Sequence, residues 1–240
     1  KVFLEVDRLR NTAFSDKKDF FTKVMQSDVY FTVKEAILNQ IKKENFEVKK
    51  ELLLLALQTN NTQVRQAVAS NLAKIPEDFR VSYEGLLNDQ SYQTQEIALF
   101  TLWNNFPSRR FQYLDKTKNW NGFNDYNLRT LWLSLALNTP NYAENKENLI
   151  NELIAYSSIN YEATTRQNAL ENLIAFQLIN ETVLKNLVNA TTHHMWQFSK
   201  FGRDNIRKLL KIKEMRVSFE RILPDLNENE RFQLDRLLKE

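Results

Sequence analysis

The sequence predicts an all-α protein made of stacked helical hairpins, and three observations carry that prediction. Glycine and proline are scarce, 3 and 4 in 240 residues, whereas sheet proteins need many tight turns that those residues supply. Apolar residues recur at the i, i+3, i+4, i+7 spacing of an amphipathic helix. A short motif also returns at near-regular intervals along most of the chain. The hydrophobic fraction of 42% and the charged fraction of 26% are ordinary for a globular protein. A chain of this length buries about 70% or more of its unfolded surface, so its core needs no staple.

The motif is a β-branched or apolar residue, a basic or polar residue, and an apolar stripe. It occurs at Val33-Lys34-Glu35-Ala36, Val64-Arg65-Gln66-Ala67, Thr94-Gln95-Glu96-Ile97, Leu128-Arg129-Thr130-Leu131 and Thr165-Arg166-Gln167-Asn168. Successive second positions are 31, 30, 34 and 37 residues apart. Asp28, Asp89 and Asn160 lie six residues before the second position, and Asp125 lies four before. These short polar side chains are expected to cap the helix that follows. Pro76, Pro107 and Pro140 lie 11 or 12 residues after it, where a helix of about three turns should stop.

Between the aligned helices there is room for a partner helix, around Leu52 to Leu57 and around Phe111 to Lys118. Leu128, Leu131, Trp132 and Leu135 form one amphipathic stripe, and Leu149, Ile150, Leu153 and Ile154 form that of its partner. Asn141 with Glu144, and Asn227 with Glu230, have the spacing of helix-start capping pairs. A hairpin of roughly 30–37 residues is in the range of a HEAT-like α-solenoid, and it lacks the Trp-Leu-Gly-Tyr pattern of tetratricopeptide units. In such a repeat the Val-Arg-x-Ala basic residue is expected to bridge neighbouring repeats and the preceding Asp to cap a helix. Both are structural roles. The whole of 1–240 reads as a single helical-repeat domain, with no Gly/Ser-rich or Pro-rich break. From about residue 200 the period is lost, as in a terminal cap. A start at Lys1 rather than Met leads us to expect a fragment of a longer chain.

The chemistry of the side chains is sparse. There is no cysteine, which removes disulfides, thiol nucleophiles and cysteine zinc sites without fixing a compartment. The longest apolar run, Leu52 to Leu57, is six residues, far from a membrane span. A net charge of +3 offers little to a nucleic acid. His193 and His194 are adjacent and so point about 100° apart on a helix, unlike the i, i+4 pair that binds zinc. No His-Glu-x-x-His, phosphate-cradling glycine loop or Gly-x-Ser-x-Gly elbow occurs. Carboxylate pairs such as Glu144/Glu147 and Asp225/Glu228 read as a solvated face. The Asn-x-Thr triplets at Asn60, Asn180 and Asn189 follow from the abundance of asparagine. No catalytic residue and no metal ligand is therefore assigned.

Two features remain as candidate contacts with a partner or neighbouring domain. Trp103 and Trp132 sit among aliphatics as core residues. Asn119-Trp120-Asn121-Gly122-Phe123-Asn124 instead contains a turn that would present Trp120 or Phe123, unless they pack on the next hairpin. From Lys200 to Arg221 there are eight basic residues against three acidic. If a helix runs unbroken there, Lys200, Arg203, Arg207 and Lys211 share a face, a condition that Gly202 weakens.

The stretch from Leu87 to Leu137 resembles the C-terminal helical domain of zinc aminopeptidases of the aminopeptidase N family, as found in some bacteria. The residues carrying the resemblance are Leu87-Asn88-Asp89-Gln90-Ser91-Tyr92, Ala98-Leu99-Phe100-Thr101-Leu102-Trp103, and Gly122-Phe123-Asn124-Asp125 leading into Leu131-Trp132-Leu133. Arg166-Gln167-Asn168-Ala169 and His194-Met195-Trp196-Gln197-Phe198 extend it. The resemblance implies a noncatalytic module that closes over an upstream, zinc-bearing catalytic domain in cis and shapes the chamber that admits peptides. The zinc motifs themselves are not in this sequence. Two other readings stand beside it: an independent HEAT-repeat scaffold that binds a protein in its groove, and a HEAT-like DNA glycosylase using the basic cluster.

Overall fold

Fifteen α-helices, with short 3-10 turns and no strand among the described residues, make up the protein in a computed structural model that describes residues 1–123, 126–142 and 145–240. The all-α class expected from the sequence is the class observed. The chain divides into two compact units, Lys1–Lys118 and Asn119–Glu240. The first contains α1 (Val2–Arg8), α2 (Phe14–Gln26), α3 (Phe31–Gln40), α4 (Phe46–Leu57), α5 (Thr62–Asn71), α6 (Glu77–Glu84), α7 (Tyr92–Asn105) and α8 (Arg110–Thr117). The second contains α9 (Asn127–Leu137), α10 (Lys146–Tyr156), α11 (Ala163–Ala175), α12 (Glu181–Thr191), α13 (Trp196–Leu209), α14 (Lys213–Ile222) and α15 (Glu228–Leu238).

The five aligned motifs all fall in the first turn of an odd-numbered helix. Lys34, Arg65, Gln95 and Arg166 are each the fourth residue of α3, α5, α7 and α11, and Arg129 is the third of α9. The expected partner helices are present as α4 and α8, and α10 carries the stripe of Leu149 and Leu153. In the first unit α1, α3, α5 and α7 pack in series, and α2 packs on α4. Their apolar faces close a core around Phe21, Ile37, Leu38, Leu52, Leu53, Phe79 and Tyr83. In the second unit α9, α11, α13 and α15 form the series, and α12 packs on α13, α14 and α15. Its core gathers Leu133, Leu153, Leu170, Leu187, Phe198, Ile206 and Phe219.

The caps differ from the expectation in an instructive way. Asp28, Asp89 and Asn160 are not caps, because the helices begin two residues later, after Tyr30, Ser91 and Glu162. Ser91 and Asn61, four residues before the motif position, do the capping. Asn124, Asp125 and Glu144 lie outside the described residues, and α10 is capped by Asn145 rather than Asn141. Asn45, Asn61, Asn145, Asn180 and Asn227 all accept first-turn N–H groups. Part of the asparagine abundance is thus helix capping. Asn227 and Glu230 form the expected capping box.

Helix α13 runs unbroken through Gly202, which is where it crosses α12. A Cβ on Gly202 would lie 3.0 Å from the Thr191 nitrogen and 3.1 Å from both the Leu187 carbonyl oxygen and Ala190 Cβ. Two of those atoms are backbone and cannot rotate away. Gly202 therefore sets the α12–α13 distance. At the end of α11, Gln177 takes a left-handed conformation with φ +58°. Its N–H donates to the Ile174 carbonyl at 3.0 Å, and the Leu178 N–H to that of Leu173 at 2.8 Å. This is the Schellman arrangement without its usual glycine.

Gly202→Ala should destabilise the protein by about 1–3 kcal/mol, despite the better helix propensity of alanine, as read from the urea midpoint at unchanged m-value. Gln177→Gly should raise stability by up to about 1 kcal/mol in the same measurement.

Candidate functional site

A helix ends with four carbonyls that have no partner within it, and the motif side chains answer those of the preceding turn. Arg65 Nη1 donates to the Thr59 carbonyl at 2.6 Å, and its Nε donates to Asp89 Oδ2 at 2.5 Å. Asp89, whose side chain is 1% exposed, also accepts the Ser91 N–H at 2.8 Å. One carboxylate thereby ties the start of α5 to the start of α7. Gln95 Nε2 donates to the Asp89 carbonyl at 2.6 Å, repeating the six-residue reach from Arg65 to Thr59. At Arg65 the basic residue of the motif thus links α5 to α7, with Asp89 as its counter-ion.

Arg129 repeats the theme with a two-pronged pair to Glu152, Nε to Oε1 at 2.6 Å and Nη2 to Oε2 at 2.7 Å. Burial works against its charge, but Glu152 outweighs that and holds its pKa above the ordinary value. Tyr156 donates its hydroxyl to Glu152 Oε1 at 3.1 Å. Burial and the adjacent carboxylate push the Tyr156 phenol up.

Arg166 departs from this pattern. It is 3% exposed, yet it forms no ion pair among the described residues. Its Nη2 donates to Asn189 Oδ1 at 2.7 Å and its Nε to the Ser157 carbonyl at 3.4 Å. The guanidinium also lies over the Phe198 ring, 4.9 Å from the centroid. Burial pushes its pKa down, the direction expected for a cation without a close counter-charge. Asn189 Nδ2 in turn donates to Glu230 Oε1 at 2.6 Å, so the nearest carboxylate in this chain of bonds stands one side chain away.

Arg166 lines a cavity of about 540 Å³ together with Asn160, Glu162, Asn189, His193 and His194. The two imidazoles stack at 4.2 Å, and His193 meets the Phe198 edge at 5.2 Å. His193 Nδ1 accepts the Met195 N–H at 3.1 Å, which calls for an unprotonated nitrogen there. Burial, then the neighbouring His194, then Arg166 keep the His193 pKa below its usual value. A larger cavity of about 820 Å³ in the first unit is lined by Lys34, Tyr30, Phe31, Asn60 and Asn61. Among the described residues no group of three His, Cys, Asp or Glu side chains is arranged to hold a metal, and no helix is long and apolar enough to cross a membrane.

The six residues expected from the sequence to be partner contacts, Trp120, Phe123, Lys200, Arg203, Arg207 and Lys211, do not line the cavity beside Arg166. Trp120 is half-buried, while Phe123 is 67% exposed, following Gly122 at φ +78°. Trp132 is buried as expected. Trp103 is only half-buried, with the Arg110 guanidinium 3.6 Å from its ring centroid. Lys200, Arg203 and Arg207 share α13, whereas Lys211 lies beyond its end. Their charge is largely answered locally. Lys200 pairs with Asp204 at 2.5 Å, and Arg207 holds Glu240 at 2.6 and 2.9 Å. Arg203 donates weakly, at 3.5 Å, to the Thr191 carbonyl.

Sequence reasoning named Asn189 only as the start of an Asn-x-Thr triplet and did not set Arg166 apart. A signal was present: Asp89 and Glu152 follow Arg65 and Arg129 by 24 and 23 residues, and 23 residues after Arg166 stands the neutral Asn189.

These features define the class as an all-helical protein with an arginine-based polar cavity. No family model matches the chain, and no curated protein matches its sequence.

Breaking a buried ion pair leaves its other charge uncompensated. Asp89→Ala should therefore cost about 3 kcal/mol in chemical denaturation, and Asp89→Asn, which keeps an acceptor for the Ser91 N–H, should cost less.

Proposed function

We propose that this chain is a noncatalytic helical-repeat module, of the HEAT-like solenoid kind, that serves a zinc aminopeptidase by covering its catalytic domain and shaping peptide access. The observation that carries the repeat reading is the register. Four of the five motif residues occupy the same fourth position of alternate helices, and those helices pack in series within each unit. Units joined mainly to their nearest neighbours are the organisation of a repeat array. The assignment to an aminopeptidase rests on the resemblance of Leu87 to Leu137 and its extensions. On this reading zinc belongs to the upstream domain, and no residue of this chain ligates it or attacks a peptide bond.

A scaffold acting independently has its own observation, the exposed aromatics Tyr30, Phe123 and Trp196, which suit protein contacts. The coding sequence upstream of Lys1 separates the two. A His-Glu-x-x-His motif within several hundred residues supports the aminopeptidase module, and a short upstream region supports the scaffold.

The purified chain should fold cooperatively, carry substoichiometric zinc by elemental analysis, and leave an aminoacyl p-nitroanilide intact. Zinc-dependent cleavage by this chain alone would overturn the noncatalytic reading.

A further inference from the structure

We propose that the cavity beside Arg166 is a binding site for a terminal oxyanion, a carboxylate or phosphate group, which supplies the counter-charge that this arginine does not find among the described residues. The inference does not rest on the aminopeptidase reading. It starts from a comparison internal to the chain. Arg65 and Arg129 stand at the same motif position and each holds a carboxylate, at 2.5 Å and at 2.6 and 2.7 Å. At Arg166 the corresponding place is taken by Asn189. An uncompensated cation in a buried setting is costly, and the protein retains it at the wall of a cavity.

The donors are available. A guanidinium carries five N–H donors in a planar fork, and the two bonds to Asn189 and Ser157 use two of them. The guanidinium is held by Asn189, the Ser157 carbonyl and the Phe198 ring 4.9 Å away, so an incoming oxyanion meets an anchored fork rather than a free side chain. His193 and His194 lie on the same wall, and each adds an N–H that an oxygen can accept. Glu162 is the acidic group of the lining. It is solvent-exposed, and its repulsion is screened accordingly. A cavity of about 540 Å³ is within the range of small-ligand sites and far exceeds a bare anion. The space leaves room for the rest of a molecule that carries the oxyanion at one end.

The test is an NMR titration of the intact chain with sodium acetate and, separately, with inorganic phosphate, at constant ionic strength maintained with sodium chloride. Saturable shifts confined to the Arg166 Nε–H, the Asn189 side-chain amide and the His193 and His194 rings are expected for at least one anion. The anion that saturates at lower concentration identifies the source as carboxylate or phosphate. Shifts that stay linear with concentration, or that spread over the surface lysines, overturn the proposal in the unmodified protein. Arg166→Lys keeps the charge but loses the fork, and should weaken binding about tenfold or more. Arg166→Gln should abolish it. Asn189→Asp places a carboxylate against both Arg166 and Glu230, and by competing for the arginine and adding negative charge should also weaken anion binding at least about tenfold. A folded Arg166→Gln or Asn189→Asp protein that binds as tightly as the original overturns the assignment.

Discussion

The structure depends on closing the C-terminal ends of its helices without glycine. Left-handed caps are the usual solution, and this chain uses one at Gln177 that is not a glycine. Elsewhere a cation from a following segment reaches back to a carbonyl in the last turn of a helix or in the turn just after it. Buried Lys17 donates to the Leu9 and Arg10 carbonyls, Lys49 to that of Lys42, Arg65 to Thr59, and Arg110 to Trp103. Arg231 caps the turn at Leu223, Pro224 and Leu226 in the same way. The partial negative charge at a helix C-terminus favours such cations. At Lys49 burial opposes the charge and lowers its pKa.

This solution couples local structure to packing. A glycine cap ends one helix and does nothing more, whereas a lysine or arginine cap belongs to the next element and fixes its distance and rotation. The motif arginines go a step further, since Arg65 and Arg129 also bind a carboxylate from a neighbouring element. Such a tie leaves no cation to spare. The same position becomes a candidate site at Arg166 through one change of partner, from a carboxylate to the amide of Asn189. The same frame holds a structural pair at one position and an open donor fork at another.

Packing at α12 and α13 shows the opposite economy of means. There the helices meet through a residue with no side chain, Gly202, and the apolar face of α13 sinks Phe198 and Ile206 into the core. Its polar face carries Lys200, Arg203 and Arg207, whose charges are met by Asp204, Glu240 and a backbone carbonyl. Two of the basic residues in the run are thus paired, Lys200 with Asp204 one helical turn on and Arg207 with Glu240, 33 residues away in the chain.

The sequence by itself determined the helical class, the placement of α3, α5, α7, α9 and α11 and of the partner helices α4 and α8, because apolar periodicity and turn residues act over a few residues and are written locally. It also determined the Asn227–Glu230 box, whose two members are three residues apart. It placed the caps at Asp28, Asp89 and Asn160 two residues too early, and Asp89 is instead drawn to Arg65, 24 residues away in the chain. Gly202 read as a helix breaker, because the close approach of α12 that calls for a glycine is invisible along one helix. Arg166 looked like its siblings for the same reason. Only the tertiary structure decided which arginines find a carboxylate, because that depends on side chains more than 20 residues apart meeting in a buried, low-dielectric contact.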